Sequence, residues 1–144
     1  MEIVLAWFTK GKALSPDNIT DRLNRVANYY ISLGIKSLKV DYYSTHNIGI
    51  ALISKRNQYY KGAFWSDDKT FSVASSGLMI GVDKLIESSS ADSGNVAISR
   101  LCSILRENVE YAHSRLSGHF FLSWIDKFAS TLHILTDGFG DSVR

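Results

Sequence analysis

The stretch Phe120-Phe121-Leu122-Ser123-Trp124-Ile125 is almost continuously apolar. A strand with one wet face alternates apolar and polar residues, because successive side chains point to opposite sides of the sheet. This stretch does not alternate, so it predicts a central strand covered on both faces. A chain of 144 residues must therefore stack at least one further layer on each side of that strand. Asp126-Lys127 begins a turn into Leu132-His133-Ile134-Leu135, which makes the strand half of a hairpin.

Two amphipathic helices are available as covering layers. Ile19, Leu23, Val26, Tyr30 and Leu33 recur at spacings of four, three, four and three, which places them on one helical face that must be buried. Ser15-Pro16 suits the start of this helix and Gly34 its stop, so its expected span is about Pro16 to Leu33. Ile98, Leu101, Leu105, Val109, Ala112 and Leu116 form a second stripe, widened by Ile104. It predicts one helix of about five turns from Asn95 to Leu116.

Elsewhere the period is two. Ile3 to Phe8 reads as an opening strand followed by a loop at Lys10-Gly11-Lys12. Leu38, Val40 and Tyr42, then Ile48, Ile50 and Leu52, flank a turn near Thr45-His46-Asn47 and predict a hairpin. Tyr59 to Trp65 and Thr70 to Val73 flank the turn-rich Ser66-Asp67-Asp68-Lys69 and suggest a second one. Gly77 and Gly81 bracket a short apolar piece, and the small polar residues from Ser88 to Gly94 read as a loop. Strands grouped in hairpins with two long helices favour an α+β fold in one domain over residues 1–144. Its expected form is a four-layer αββα sandwich, two antiparallel sheets face to face with the helices outside.

With 45% hydrophobic residues and one proline, the chain has enough apolar surface to order itself. Its net charge of +2, from basic residues spread along the sequence, lacks the footprint of a nucleic-acid binder. Tyr59-Tyr60 beside Lys61 reads as hairpin packing rather than a base-stacking platform. The lone Cys102 cannot close an internal disulfide, which fits a cytoplasmic location. Ile3 to Phe8 is too short for a signal sequence or a membrane span. His46, His113, His119 and His133 show no zinc spacing. Cys102 lies inside a helix rather than at its positive end and reads as a structural thiol. No Gly-x-Ser-x-Gly elbow or phosphate loop is present, and no helix follows Gly138-Phe139-Gly140.

From Arg115 the sequence reads Arg-Leu-Ser-Gly-His-Phe-Phe-Leu-Ser-Trp-Ile-Asp, then Leu132 to Leu135, then Thr136-Asp137-Gly138-Phe139-Gly140. In order, spacing and intervening hairpin this block resembles the glutaminase domain of the asparagine synthetase and β-lactam synthetase family. The matching positions are Leu116, Gly118, Phe120, Trp124, Asp126, Asp137, Phe139 and Gly140, while Thr136 replaces the family's arginine. Lys69 to Ile80 is similar in outline to the family's strand running into Asn-Gly-Glu-Ile-Tyr-Asn.

The resemblance implies an Ntn-hydrolase-like fold, and three departures imply a silent site. The family's amidotransferases expose a cysteine as the first residue after methionine removal, its thiol activated by the free α-amine. This chain has Glu2 there. The asparagine and glycine of the oxyanion hole correspond to Ser76 and Gly77, and the acidic residue that recognises the substrate's amino group is Leu78. Members without the cysteine include the β-lactam synthetases and other natural-product amide-forming enzymes, in which the domain is a scaffold for an ATP-dependent synthetase domain. The expectation is therefore a non-catalytic scaffold or interaction subunit with no cofactor of its own, ATP and Mg belonging to a partner synthetase domain in cis or trans. A stand-alone protein-binding module that keeps only the fold is the alternative. The family's last strands have no counterpart before Arg144, so a sheet edge near Leu132 to Thr136 is expected to pair with a second copy or with further chain.

Overall fold

The computed structural model describes residues 2–55, 63–80 and 94–137. Strand β1 (Glu2–Phe8) is followed by helix α1 (Pro16–Ser32), then β2 (Leu38–Thr45) and β3 (Ile48–Lys55). Next come β4 (Phe64–Asp67), β5 (Phe71–Ile80), helices α2 (Gly94–Glu107) and α3 (Val109–Arg115), and the hairpin β6 (Ser117–Asp126) and β7 (Thr131–Thr136). Every strand pairing is antiparallel. The strands form a three-stranded sheet, β1-β3-β2, and a four-stranded sheet, β4-β5-β6-β7.

Three apolar clusters stack these elements. Ile19 and Leu23 of α1 pack on Ala51, with Leu5, Trp7, Val40 and Tyr42 around them. Ile50 and Leu52 meet Ala74 and Ile125 between the sheets, with Val4, Ala6, Trp65 and Leu132 alongside. Leu101, Cys102, Leu105 and Ala112 pack on Phe71, Val73, Phe120, Leu122 and Trp124. The chain is thus α+β, with one helix against the smaller sheet and two against the larger. Strand β6 is covered on both faces, as its unbroken apolar run requires: Phe120, Leu122 and Trp124 face the helices and Ile125 faces the other sheet.

Local chemistry sets the boundaries. The Ser15 side chain caps α1 by accepting from the Asn18 amide. At its other end Gly34, at φ +93°, closes a six-to-one and five-to-two pair of bonds, Ile35 N–H to Tyr30 O and Gly34 N–H to Ile31 O. Leu33 is the cap residue rather than part of the buried face and is exposed. Ala27 is buried in its place, so the contact face is narrower than the stripe predicts. Asp68 Oδ1 accepts from the Thr70 and Phe71 amides at 2.7 and 2.8 Å and so holds the β4–β5 turn.

Three expectations need correction. The helix expected from Asn95 to Leu116 is two helices, broken where Asn108 leaves the helical region and accepts from the Tyr111 amide at 2.9 Å. Val109 accordingly lies exposed at the start of the second helix and not on the core stripe. The strand expected at Thr70 to Val73 runs on through Gly77 to Ile80. The expected Tyr59 strand start and most of the Ser88–Gly94 loop lie outside the described residues, as do Phe139 and Gly140. Strand β7 is an edge of its sheet among the described residues.

Candidate functional site

The positions singled out in the sequence fall into three places. Glu2 opens β1 opposite Ser54, and Lys39 lies opposite Ser54 on the other side. The alternation that puts Val4 and Ala6 between the sheets places this carboxylate, hydroxyl and ammonium row on the same inter-sheet face. Ser54 is buried. Asp41 sits one row further along that face and pairs with Lys39 at 2.9 Å. A carboxylate therefore stands where the resemblance calls for a thiol, and it can bind or repel but cannot accept an acyl group as a thiolate does.

Ser76, Gly77 and Leu78 lie on β5 of the other sheet, opposite Phe121, Phe120 and His119. Gly77 and Gly118 are locked together. Gly77 has φ +84° and Gly118 φ +110°. A Cβ on Gly77 would stand 2.1 Å from the His119 carbonyl oxygen, and one on Gly118 would stand 2.1 Å from that of Leu78. Both glycines are demanded by close approach of the two backbones as well as by their left-handed torsions. Leu78 is 55% exposed and carries no group that could hold an amine. Ser76 offers only a short hydroxyl where an amide side chain would reach further.

The remaining block residues act on packing and turns. Leu116, Phe120 and Trp124 are core residues on the α2–α3 side. The Trp124 indole stacks on His133, 4.9 Å between centroids and 11° between planes. Asp126, only 3% exposed, accepts the Phe128 and Ala129 amides at 3.0 and 3.1 Å and thereby fixes the β6–β7 turn. It also pairs with Arg106 of α2, whose guanidinium lies 4.7 Å over the Phe71 ring. Burial alone would raise the Asp126 pKa, but the Arg106 bond and the two turn amides outweigh it and hold the carboxyl below the usual range. Asp137 donates its amide to Phe120 O and accepts His119 Nδ1 at 2.9 Å.

Sequence reasoning missed Arg106 and His119 as partners. The hairpin register could have found His119, since pairing Phe121 with Thr136 puts residues 119 and 137 at the same strand end. Nothing in the sequence ties Arg106 to Asp126, because the link crosses from a helix to a turn twenty residues away. Cys102 is fully buried, and desolvation, reinforced by Asp68, pushes its thiol far up, which suits a packing role rather than a nucleophile. Among the described residues no group of three or more His, Cys, Asp or Glu could hold a metal ion, and no helix is long and apolar enough to cross a membrane. No protein-family model, curated protein or solved structure matches the chain.

Proposed function

We propose that this chain is a glutaminase-like domain of the asparagine synthetase and β-lactam synthetase type, with an Ntn-hydrolase-like sandwich whose amide-hydrolysing site has been lost. It serves an ATP-dependent amide-forming synthetase domain, in cis or in trans, as a scaffold or interaction subunit in the cytoplasm. The observation that carries the reading is the Gly77–Gly118 lock. It joins the specific hairpin block to the segment that would supply an oxyanion hole, in adjacent strands, while the side chains for hydrolysis are replaced by Ser76, Leu78 and Glu2. A retained frame with the chemistry removed fits support better than catalysis.

The test pairs two measurements on the purified chain. Incubation with glutamine releases no ammonia above background, in the unaltered protein and after Cys102→Ala. Co-expression with a synthetase-domain protein encoded beside it yields a complex that forms an amide from ATP, a carboxylate and an amine. Glutamine hydrolysis that survives Cys102→Ala would overturn the loss of the site. Failure to bind such a synthetase would leave the stand-alone protein-binding module.

A further inference from the structure

Among the described residues strand β1 is an edge of the smaller sheet, and the two backbone faces of an edge strand differ. Thr9 donates its amide to Asn47 O at 2.7 Å, continuing the β1–β3 ladder. By antiparallel alternation the odd residues of β1 bond inward, so the N–H and C=O groups of Glu2, Val4, Ala6 and Phe8 point away from the sheet. No strand takes them among the described residues. An edge of this kind is a template for another strand, and proteins blunt it with charge or by keeping it short. The edge strand β4 has only four residues and β2 carries Lys39 and Asp41. Strand β7, six residues without Asp, Glu, Lys or Arg, is blunted in neither way, but the apolar pocket described next lies beside β1 and not beside β7. The sole charge of β1 is Glu2, at its far end.

Beside that edge lies an open apolar pocket of about 200 Å³ between β1 and α1. Leu5 and Trp7 form its β1 wall, Ile19, Leu23 and Val26 its helical wall, and Arg22 stands among the lining residues. Gly49 fixes the Trp7 wall: a Cβ there would lie 2.1 Å from the indole ring. Arg22 Nε donates to Asn18 Oδ1 at 2.8 Å, which orients the guanidinium and leaves its terminal nitrogens without a partner among the described residues. Exposed Lys10 and Lys12 add positive charge to the preceding loop, against two carboxylates on α1, Asp17 and Asp21, the second of which is paired with Arg25 at 2.8 Å. On the other face of the same edge Phe8 is 73% exposed. A strand laid along β1 would thus find apolar surface on both faces, the environment of a central strand.

We propose that the groove between α1 and the free edge of β1 docks an extended peptide segment, which adds to β1 as a further strand, seats an apolar side chain against Trp7 and Leu23, and sets a carboxylate against Arg22. Backbone bonds to Val4, Ala6 and Phe8 supply affinity and the pocket supplies selectivity. The cavity is smaller than the ~300–1,000 Å³ of a drug-sized site, which suits one side chain rather than a whole ligand. The inference stands independently of the amide-ligase reading.

The probe is the hexapeptide acetyl-Ser-Val-Thr-Leu-Thr-Val with a free C-terminal carboxylate, titrated into the isotopically labelled full chain and followed by amide and indole NMR shifts. Binding shifts the Val4, Ala6 and Phe8 amides and the Trp7 indole, with Kd on the order of 100 µM, as expected for so small a contact. N-methylation of alternate peptide amides weakens binding at least tenfold. Arg22→Gln weakens it about fivefold, converting the carboxylate to an amide does the same, and the two losses do not add. Ala6→Pro removes one outward N–H while sparing the inner ladder, where edge strands tolerate proline, and also lowers affinity. An N-methylated peptide that binds equally well, peptide binding that moves the Trp7 indole but not the Val4, Ala6 and Phe8 amides, or no shift at 1 mM peptide would each overturn the proposal.

Discussion

At the scale of single residues, Asp126 shows how a motif position can be structural. Its buried carboxylate holds a turn by two amide bonds and a helix by one guanidinium, so three elements meet at one side chain. Asp126→Asn retains an oxygen for the turn amides and removes the charge that Arg106 answers. Because Arg106 is 43% exposed, solvent screens the pair, and the substitution is expected to cost about 1 kcal/mol at neutral pH. The sign follows from the lowered pKa: the folded state holds its proton less tightly than the unfolded chain. The contribution is therefore fully present above the ordinary aspartate value of 3.8 and fades as pH falls below it, toward the lowered folded value. Urea midpoints of the two proteins between pH 7 and 3 should converge only at the acid end. A gap independent of pH would mean that Asp126 acts by shape alone.

At the scale of elements, periodicity showed which segments are helices and strands, but not where backbone torsion overrides it. The α1 stripe was legible because a 3.6-residue repeat survives in its apolar positions, and β6 because its apolar run is unbroken, as burial on both faces requires. The break at Asn108 was not, because the apolar spacing from Leu105 to Ala112 continues through it while one side chain turns to cap Tyr111. Gly77 misled for a related reason: glycine reads as an interruption in a sequence, yet here it lies mid-strand because its partner backbone comes too close for a Cβ. The candidate site could be named from the sequence only through the resemblance of one block of residues. The identities at Glu2, Ser76 and Leu78 could be read directly, whereas the Arg106 and His119 contacts are products of tertiary packing. The β5–β6 pair supplies the test. Gly118→Ala must relieve both a backbone clash and a left-handed torsion, so it is expected to cost at least about 2 kcal/mol. Gly34→Ala, where nothing lies within 4 Å of the added carbon, carries the torsional term alone, about 1 kcal/mol. Equal losses in thermal or urea unfolding would show that the two strands can separate to admit a methyl group, and the lock would not be one.

At the scale of the whole molecule, stability depends on whether the two sheets behave as one body. Each has its own helical cover, and the core they share is small: Ile50 and Leu52 on one side, Ala74 and Ile125 on the other. A polar tie reinforces it. Lys127 leaves the end of β6, sits 4.2 Å over the Tyr43 ring of the other sheet, and bonds Asp67 Oδ1 at 2.6 Å. Asp67 also accepts the Ser72 hydroxyl at 2.6 Å. A strongly hydrated ammonium held by a carboxylate and an aromatic face adds direction to the contact more than energy. Cohesion must therefore come mainly from the shared apolar residues, which apolar burial at roughly 25 cal/mol per Å² makes sufficient only if they are closely packed. Tryptophans in the two outer layers can test this, since Trp7 packs under α1 and Trp124 under α2 and α3. Variants retaining only one of them as a fluorophore should give coincident urea transitions, as expected of a single cooperative domain. Ile50→Ala, which empties the inter-sheet core without touching either outer cluster, should lower both midpoints together by a loss of about 2–5 kcal/mol. A Trp7 transition that moves while that of Trp124 stays would show two half-sandwiches unfolding separately, with α1 and its sheet as the weaker part.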